Sequence, residues 1–155
     1  MKDSHRYYLI CVLLLLLSLS SKGFAQEAKQ QKEITIFMIG NSTMADKPYG
    51  YGNPEKGWGQ VFPLYFKEGI RIENHAVNGR STKSFLNEGR WEVVRENIKP
   101  GDYVIIEFGH NDSKKEDTTR YAEANTTYRW NLEKFVDDTR KKGGVPILAT
   151  PIVRR

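Results

Sequence analysis

Two apolar runs, Ile34-Thr35-Ile36-Phe37-Met38-Ile39 and Tyr103-Val104-Ile105-Ile106-Glu107-Phe108, restrict the fold more than any other feature of this 155-residue chain. Both are rich in β-branched and aromatic residues with little alternation, the pattern of strands covered on both faces. Ile70 to Asn74 alternates and reads as a strand nearer an edge. Val145 to Thr150 supplies a fourth. Between the strands lie helical patterns. Trp58 to Lys67 predicts a short helix that Pro63 kinks or delays and Gly69 stops. The segment after Ser84, to Asn97, is helical in part, with Trp91, Val94 and Ile98 at helical spacing. Thr126 or Thr127 caps a later helix whose Tyr128, Leu132, Phe135, Val136 and Thr139 share a face, and Gly143-Gly144 ends it. Strands alternating with helices predict a three-layer α/β/α sandwich around a parallel sheet.

In such a sheet, ligands bind beyond the carboxyl ends of the strands. Three polar or glycine-bearing segments belong to that end: Gly40-Asn41-Ser42-Thr43-Met44-Ala45, Asn78-Gly79-Arg80-Ser81-Thr82 and Phe108-Gly109-His110-Asn111-Asp112. Ser42 directly follows a strand, where a turn exposes its hydroxyl; a serine hydroxyl acts as a nucleophile once a base stands beside it. Gly79 offers a backbone N–H with no side chain in the way. Asn111 carries a neutral amide donor suited to an oxyanion. Taken singly, each residue also fits a plainer role: a cap or turn serine, a turn glycine and an Asx-turn asparagine. Together the three are far more specific.

The ends and the charge add context. Lys2 and Arg6 precede an apolar stretch from Tyr8 to Leu19, and Gly23 and Ala25 are small residues at the spacing a signal peptidase reads. Residues 1–25 are therefore expected to be a secretory signal peptide, which sends the chain to the periplasm or beyond the cell. The apolar stretch is short for a membrane span of about 20 residues. Residues 26–33 form a polar segment expected to be disordered, and residues 34–155 one domain. Removing the leader leaves 21 Lys+Arg against 18 Asp+Glu, too weak and too scattered a basic balance for nucleic-acid binding. The single cysteine, Cys11, leaves with the leader, so neither disulfide nor thiol chemistry is expected.

The stretches Gly40 to Ala45, Gly57-Trp58-Gly59, Asn78 to Phe85, Glu88-Gly89-Arg90 and Gly101 to Asp112 resemble the SGNH (GDSL-like) hydrolase superfamily, and within it the rhamnogalacturonan acetylesterases. The resemblance implies the flavodoxin-like fold of that superfamily and a secreted esterase acting on a pectic polysaccharide. It implies Ser42 as nucleophile, and an oxyanion hole built from the N–H groups of Ser42 and Gly79 and the side chain of Asn111. It implies no metal or organic cofactor. The expected partner is an acetylated polysaccharide or oligosaccharide, with no nucleic acid and no stable membrane insertion.

Two departures accompany it. Position 41 is Asn where the family pattern has Asp. The family's base lies in an Asp-x-x-His segment that these residues do not contain, so the chain as written is expected to be an incomplete domain with little activity. His110 is expected to be structural or to touch substrate rather than to replace that base. His75 is expected to be packed and hydrogen-bonded. Trp58 and Trp91 are expected in the core, and Tyr49 and Tyr51 are weak candidates for sugar contact. Two other readings stay open: an esterase or lipase of the same superfamily acting on acyl lipids, and a non-catalytic carbohydrate-binding remnant.

Overall fold

The computed structural model describes residues 33–50 and 52–152. The leader and most of the polar segment after it, together with Tyr51, lie outside the described residues. The predicted strands form as β1 (Ile34–Gly40), β2 (Ile70–Asn74), β3 (Tyr103–Glu107) and β4 (Val145–Leu148). They make one parallel sheet in the order β2-β1-β3-β4. The two non-alternating runs are the central pair, and the alternating run is an edge.

Successive side chains of a strand point to opposite faces, and the core divides accordingly. Phe37, Ile39, Val104 and Ile106 face one way. They meet Phe85 of α2 (Thr82–Asn87), Trp91 and Val94 of α3 (Arg90–Asn97) and Phe135 of α4 (Arg129–Lys141). Ile36, Met38 and Ile105 face the other way, against Met44, Ala45 and the partly buried Trp58, Phe62 and Phe66. Helices cover both faces, as the pattern predicts. The second layer is thin: α1 (Trp58–Val61) runs into a single 3-10 turn, Phe62–Tyr65. Pro63 sits at the start of that turn, where its missing N–H breaks the α-helical bonding, so the predicted ten-residue helix is really these two short pieces.

Three other details differ from the sequence reading. The segment before Asn97 is two helices, because Gly89 takes a left-handed φ of 69° between them. The helix after Asn78 begins at Thr82, since Ser81 and Ser84 exchange the reciprocal bonds of a capping box. The cap before α4 is Glu123 and neither threonine; its carboxylate accepts the N–H groups of Asn125 and Thr126 and opens a π-helical turn, Ala124–Tyr128. Trp91 is fully buried, and its indole N–H reaches Asp138 at 3.0 Å. His75 is packed as expected, beside Phe37 and 3.2 Å from Glu73. Asp102 fastens the amino end of the sheet, where its two oxygens accept N–H from Thr35 and Lys99. Among the described residues no helix is long and apolar enough to cross a membrane.

Candidate active site

Strand order reverses between β1 and β3, because the chain leaves β1 for one side of the sheet and β3 for the other. A crevice opens at such a point, outside the carboxyl ends. Gly40 pairs with Glu107 there, so the loops carrying Ser42 and Asn111 leave the sheet side by side. The loop after β2 joins them. The Val77 N–H donates to the Gly40 carbonyl at 3.1 Å, and the Asn111 amide donates to the Arg80 carbonyl at 2.9 Å. The three segments singled out in the sequence are thus tied into one hydrogen-bonded set.

Within it, Ser42 is half-buried in a turn closed by bonds from the Met44 and Ala45 N–H groups to the Asn41 carbonyl. Gly79 has a φ of 77°, which itself requires glycine, so the plain turn role and the open N–H coexist in one residue. Asn111 is buried; one hydrogen of its amide serves Arg80, and the NH₂ group has a second to give. The Nε2–H of His110 is engaged by the Ile152 carbonyl, and its Nδ1 is buried without a partner. Tyr49 lies on the surface with the Lys56 ammonium 4.8 Å from its ring centre. Neither described histidine is bonded to Ser42.

Beneath the serine turn lies the last residue of a strand. Glu107 is buried at the end of β3. It accepts the Thr43 hydroxyl at 2.6 Å and the Trp58 indole N–H, so Trp58 packs its ring against the core, as expected, and braces this carboxylate with its polar edge. Thr43 also gives its N–H to Asn41 Oδ1 at 3.1 Å. This Asx-turn survives the change from aspartate that the resemblance notes. An aspartate at 41 would place a second carboxylate around the same Thr43 hydroxyl, 3.0 Å away, and asparagine removes that charge. The remaining cost is a buried Asn41 Nδ2 with no partner. A charged residue ending an apolar run was the available signal for Glu107.

Backbone packing holds the same turn from its other side. A Cβ on Gly57 would lie 2.0 Å from the Ala45 carbonyl oxygen, and one on Gly59 would lie 2.6 Å from that of Met44. The Gly57-Trp58-Gly59 motif lets α1 rest directly on the serine turn. Lys47 is buried nearby, with its ammonium 2.6 Å from Asn78 Oδ1 and 3.1 Å from Glu55.

Asp112 follows Asn111 into the interior. Its Oδ1 accepts the Thr82 N–H at 2.8 Å and the Thr82 hydroxyl at 2.5 Å, while Oδ2 is buried without a partner. Burial pushes its carboxyl above the ordinary value of 3.8, against the lowering effect of the Thr82 bonds. The folded protein therefore holds this proton more tightly than the unfolded chain. Above about pH 3.8 the unfolded chain releases it first, and stability falls until the folded carboxyl also ionises. Asp112→Asn is expected to remove this downward component, visible as the difference between two urea-denaturation series run from pH 3.5 to 7; identical slopes would rule the effect out. Among the described residues, no group of three or more His, Cys, Asp or Glu side chains is placed to hold a metal ion.

The model of the GDSL-like Lipase/Acylhydrolase family matches residues 38–155. Rhamnogalacturonan acetylesterase RhgT of Bacillus subtilis is 43% identical over 125 residues, covering 81% of this chain and 52% of the relative. A probable rhamnogalacturonan acetylesterase of the same organism, YesY, is 38% identical over 119 residues, covering 77% and 54%. The crystal structure of protein YxiM from Bacillus subtilis superposes with a TM-score of 0.71 at 28% identity, covering 79% of this chain and 34% of that one. The chain thus spans about half the length of the curated relatives it matches.

Proposed function

Because the chain belongs to the GDSL-like lipase/acylhydrolase family, we propose that it is an exported serine esterase that removes O-acetyl groups from a pectic polysaccharide such as rhamnogalacturonan. The observation that carries this reading is the bonding of the β1, β2 and β3 loops to one another at the switch point of the sheet. The names of the two relatives supply the substrate class.

In this reading the Ser42 hydroxyl attacks the acetyl carbonyl carbon while a general base takes its proton. The carbonyl oxygen becomes an oxyanion held by the N–H groups of Ser42 and Gly79 and by the free amide hydrogen of Asn111. Donors fixed in advance, in a partly dry site, stabilise that charge without reorganising. Collapse of the tetrahedral centre expels the sugar oxygen, which takes up the proton. Water then attacks the acetyl-serine, and acetate leaves. Glu107 acts at one remove: it holds Thr43, and through Thr43 the shape of the serine turn.

One observation favours a second reading, an esterase for longer acyl chains. A cavity of about 400 Å³ beside His110 is lined by Ala122, Ala124, Tyr128, Pro151 and Ile152. The test is the full-length protein assayed on acetylated rhamnogalacturonan and on 4-nitrophenyl esters of increasing chain length. Acetate release, with acetyl as the preferred acyl group, is the expected result. A preference for octanoyl esters, with no acetate released from the polysaccharide, would replace the first reading with the second.

A further inference from the structure

A second cavity, about 640 Å³, borders Gly79 and is lined by Arg80, Lys83, Glu88, Asp117 and Arg120 among others. Resting on the esterase reading, we propose that this cleft is a subsite for the carboxylate of an acidic sugar unit, with the Arg120 guanidinium as its principal ligand.

Three cations line the cleft against two carboxylates, and each cation is aimed by the protein. Arg120 is clamped through Nε and Nη2 onto Asp117 Oδ2. Its Nη1 has no partner among the described residues, and it stands 3.8 Å from the point a Cβ at Gly79 would occupy. The Nη1–Nη2 edge is therefore open beside the proposed oxyanion hole, in the planar fork geometry that takes a carboxylate through two parallel bonds. Arg80 is fixed by Glu88 at 3.0 Å and by the Asn78 carbonyl at 3.0 Å. Lys83 is fixed by the Thr118 carbonyl at 2.8 Å. Preorganised donors lose little freedom on binding.

The clamp also persists in acid. Asp117 accepts the Thr119 hydroxyl at 2.6 Å and the Thr119 N–H at 3.1 Å. The Thr119 hydroxyl first, and Arg120 next, hold its carboxyl down to about 2. Asp117 thus stays charged wherever a sugar acid of ordinary strength is ionised. The polysaccharide in the two relatives' names, rhamnogalacturonan, is by its galacturonan component a chain that carries sugar acids. A neutral acetylated glycan offers no charge for this cleft.

The experiment uses the full-length protein and two probes: deacetylated rhamnogalacturonan oligosaccharides, and the same oligosaccharides with their uronate carboxyls reduced to alcohols. Calorimetric titration is expected to show the acidic probe binding about tenfold tighter, with the gap narrowing as salt rises. Arg120→Gln is expected to remove most of that gap and to leave the neutral probe's affinity in place. Lys83→Gln, at a partly buried position, is expected to narrow it by a smaller factor. Equal binding of the two probes, or an Arg120→Gln loss that falls equally on both, would overturn the proposal. So would displacement of the acidic probe by an equal concentration of inorganic phosphate, which would mark a general anion site. Acetate assays separate this failure from that of the esterase reading. Acid-selective binding without acetate release leaves the subsite standing and removes the esterase. Acetate release at equal KM from acidic and carboxyl-reduced substrates does the reverse.

Discussion

Ser42→Ala is expected to lower kcat for acetate release by about a million-fold, the scale seen when a serine protease loses its nucleophile. A residual rate of roughly 10³–10⁴ over water should persist, because the oxyanion donors and the binding cleft remain. The side chain removed is small, half-buried and engaged in no side-chain bond among the described residues. Folding should therefore be nearly unchanged, and the measured loss would be chemical. The assay is acetate production by the full-length protein on its preferred acetylated substrate, with the urea midpoint of the variant as a folding control. Full activity in the alanine variant would move the nucleophile elsewhere and dismantle the proposed mechanism.

The second large effect is on stability. Phe135→Ala is expected to destabilise the domain by about 3–5 kcal/mol, the range for emptying a fully buried aromatic position. Phe135 is fully buried and lies at the centre of a ring cluster, 4.9 Å from Trp91, 5.8 Å from Phe108 and 6.4 Å from Phe85. These three neighbours come from two helices and the segment that follows β3, so none can collapse into the space without moving its own backbone. Small domains are stable by about 5–15 kcal/mol, so the variant should unfold at much lower urea concentration. A shift below about 1 kcal/mol would mean that the cluster is not the centre of the core. Phe108 leads directly into Gly109-His110-Asn111, and its carbonyl accepts the Tyr128 hydroxyl at 3.0 Å. Loosening it should therefore also reach the Asn111 donor.

Much of the framework was legible because its signals are local. Period and residue type along Ile34–Ile39 and Tyr103–Phe108 specify buried strands wherever the rest of the chain goes. Alternation at Ile70–Asn74 marks an edge for the same reason. The positions of Ser42, Gly79 and Asn111 follow from strand ends and turn chemistry. What escaped depends on contacts far apart in the chain. The Glu107 partners Thr43 and Trp58 lie 64 and 49 residues away, and the Asp112 partner Thr82 lies 30 away. No window of sequence contains both sides of such a bond. The caps failed for a subtler reason. Thr126 is a good cap residue by type, yet Glu123 reaches the same N–H groups with a longer side chain and holds the threonine hydroxyl as well. The break at Gly89 was readable as a glycine, but a glycine alone does not say whether a helix tolerates it or ends there.

The backbone contact between Gly57-Trp58-Gly59 and the serine turn bears on engineering. Its partners are main-chain atoms on both sides, so the two segments cannot be redesigned one at a time. Anyone grafting the Ser42 turn onto another parallel sheet would have to transplant residues 40–45 and 57–59 as a single cassette, with the glutamate beneath them. The loop moved alone would carry the right letters and lack the seat that shapes it.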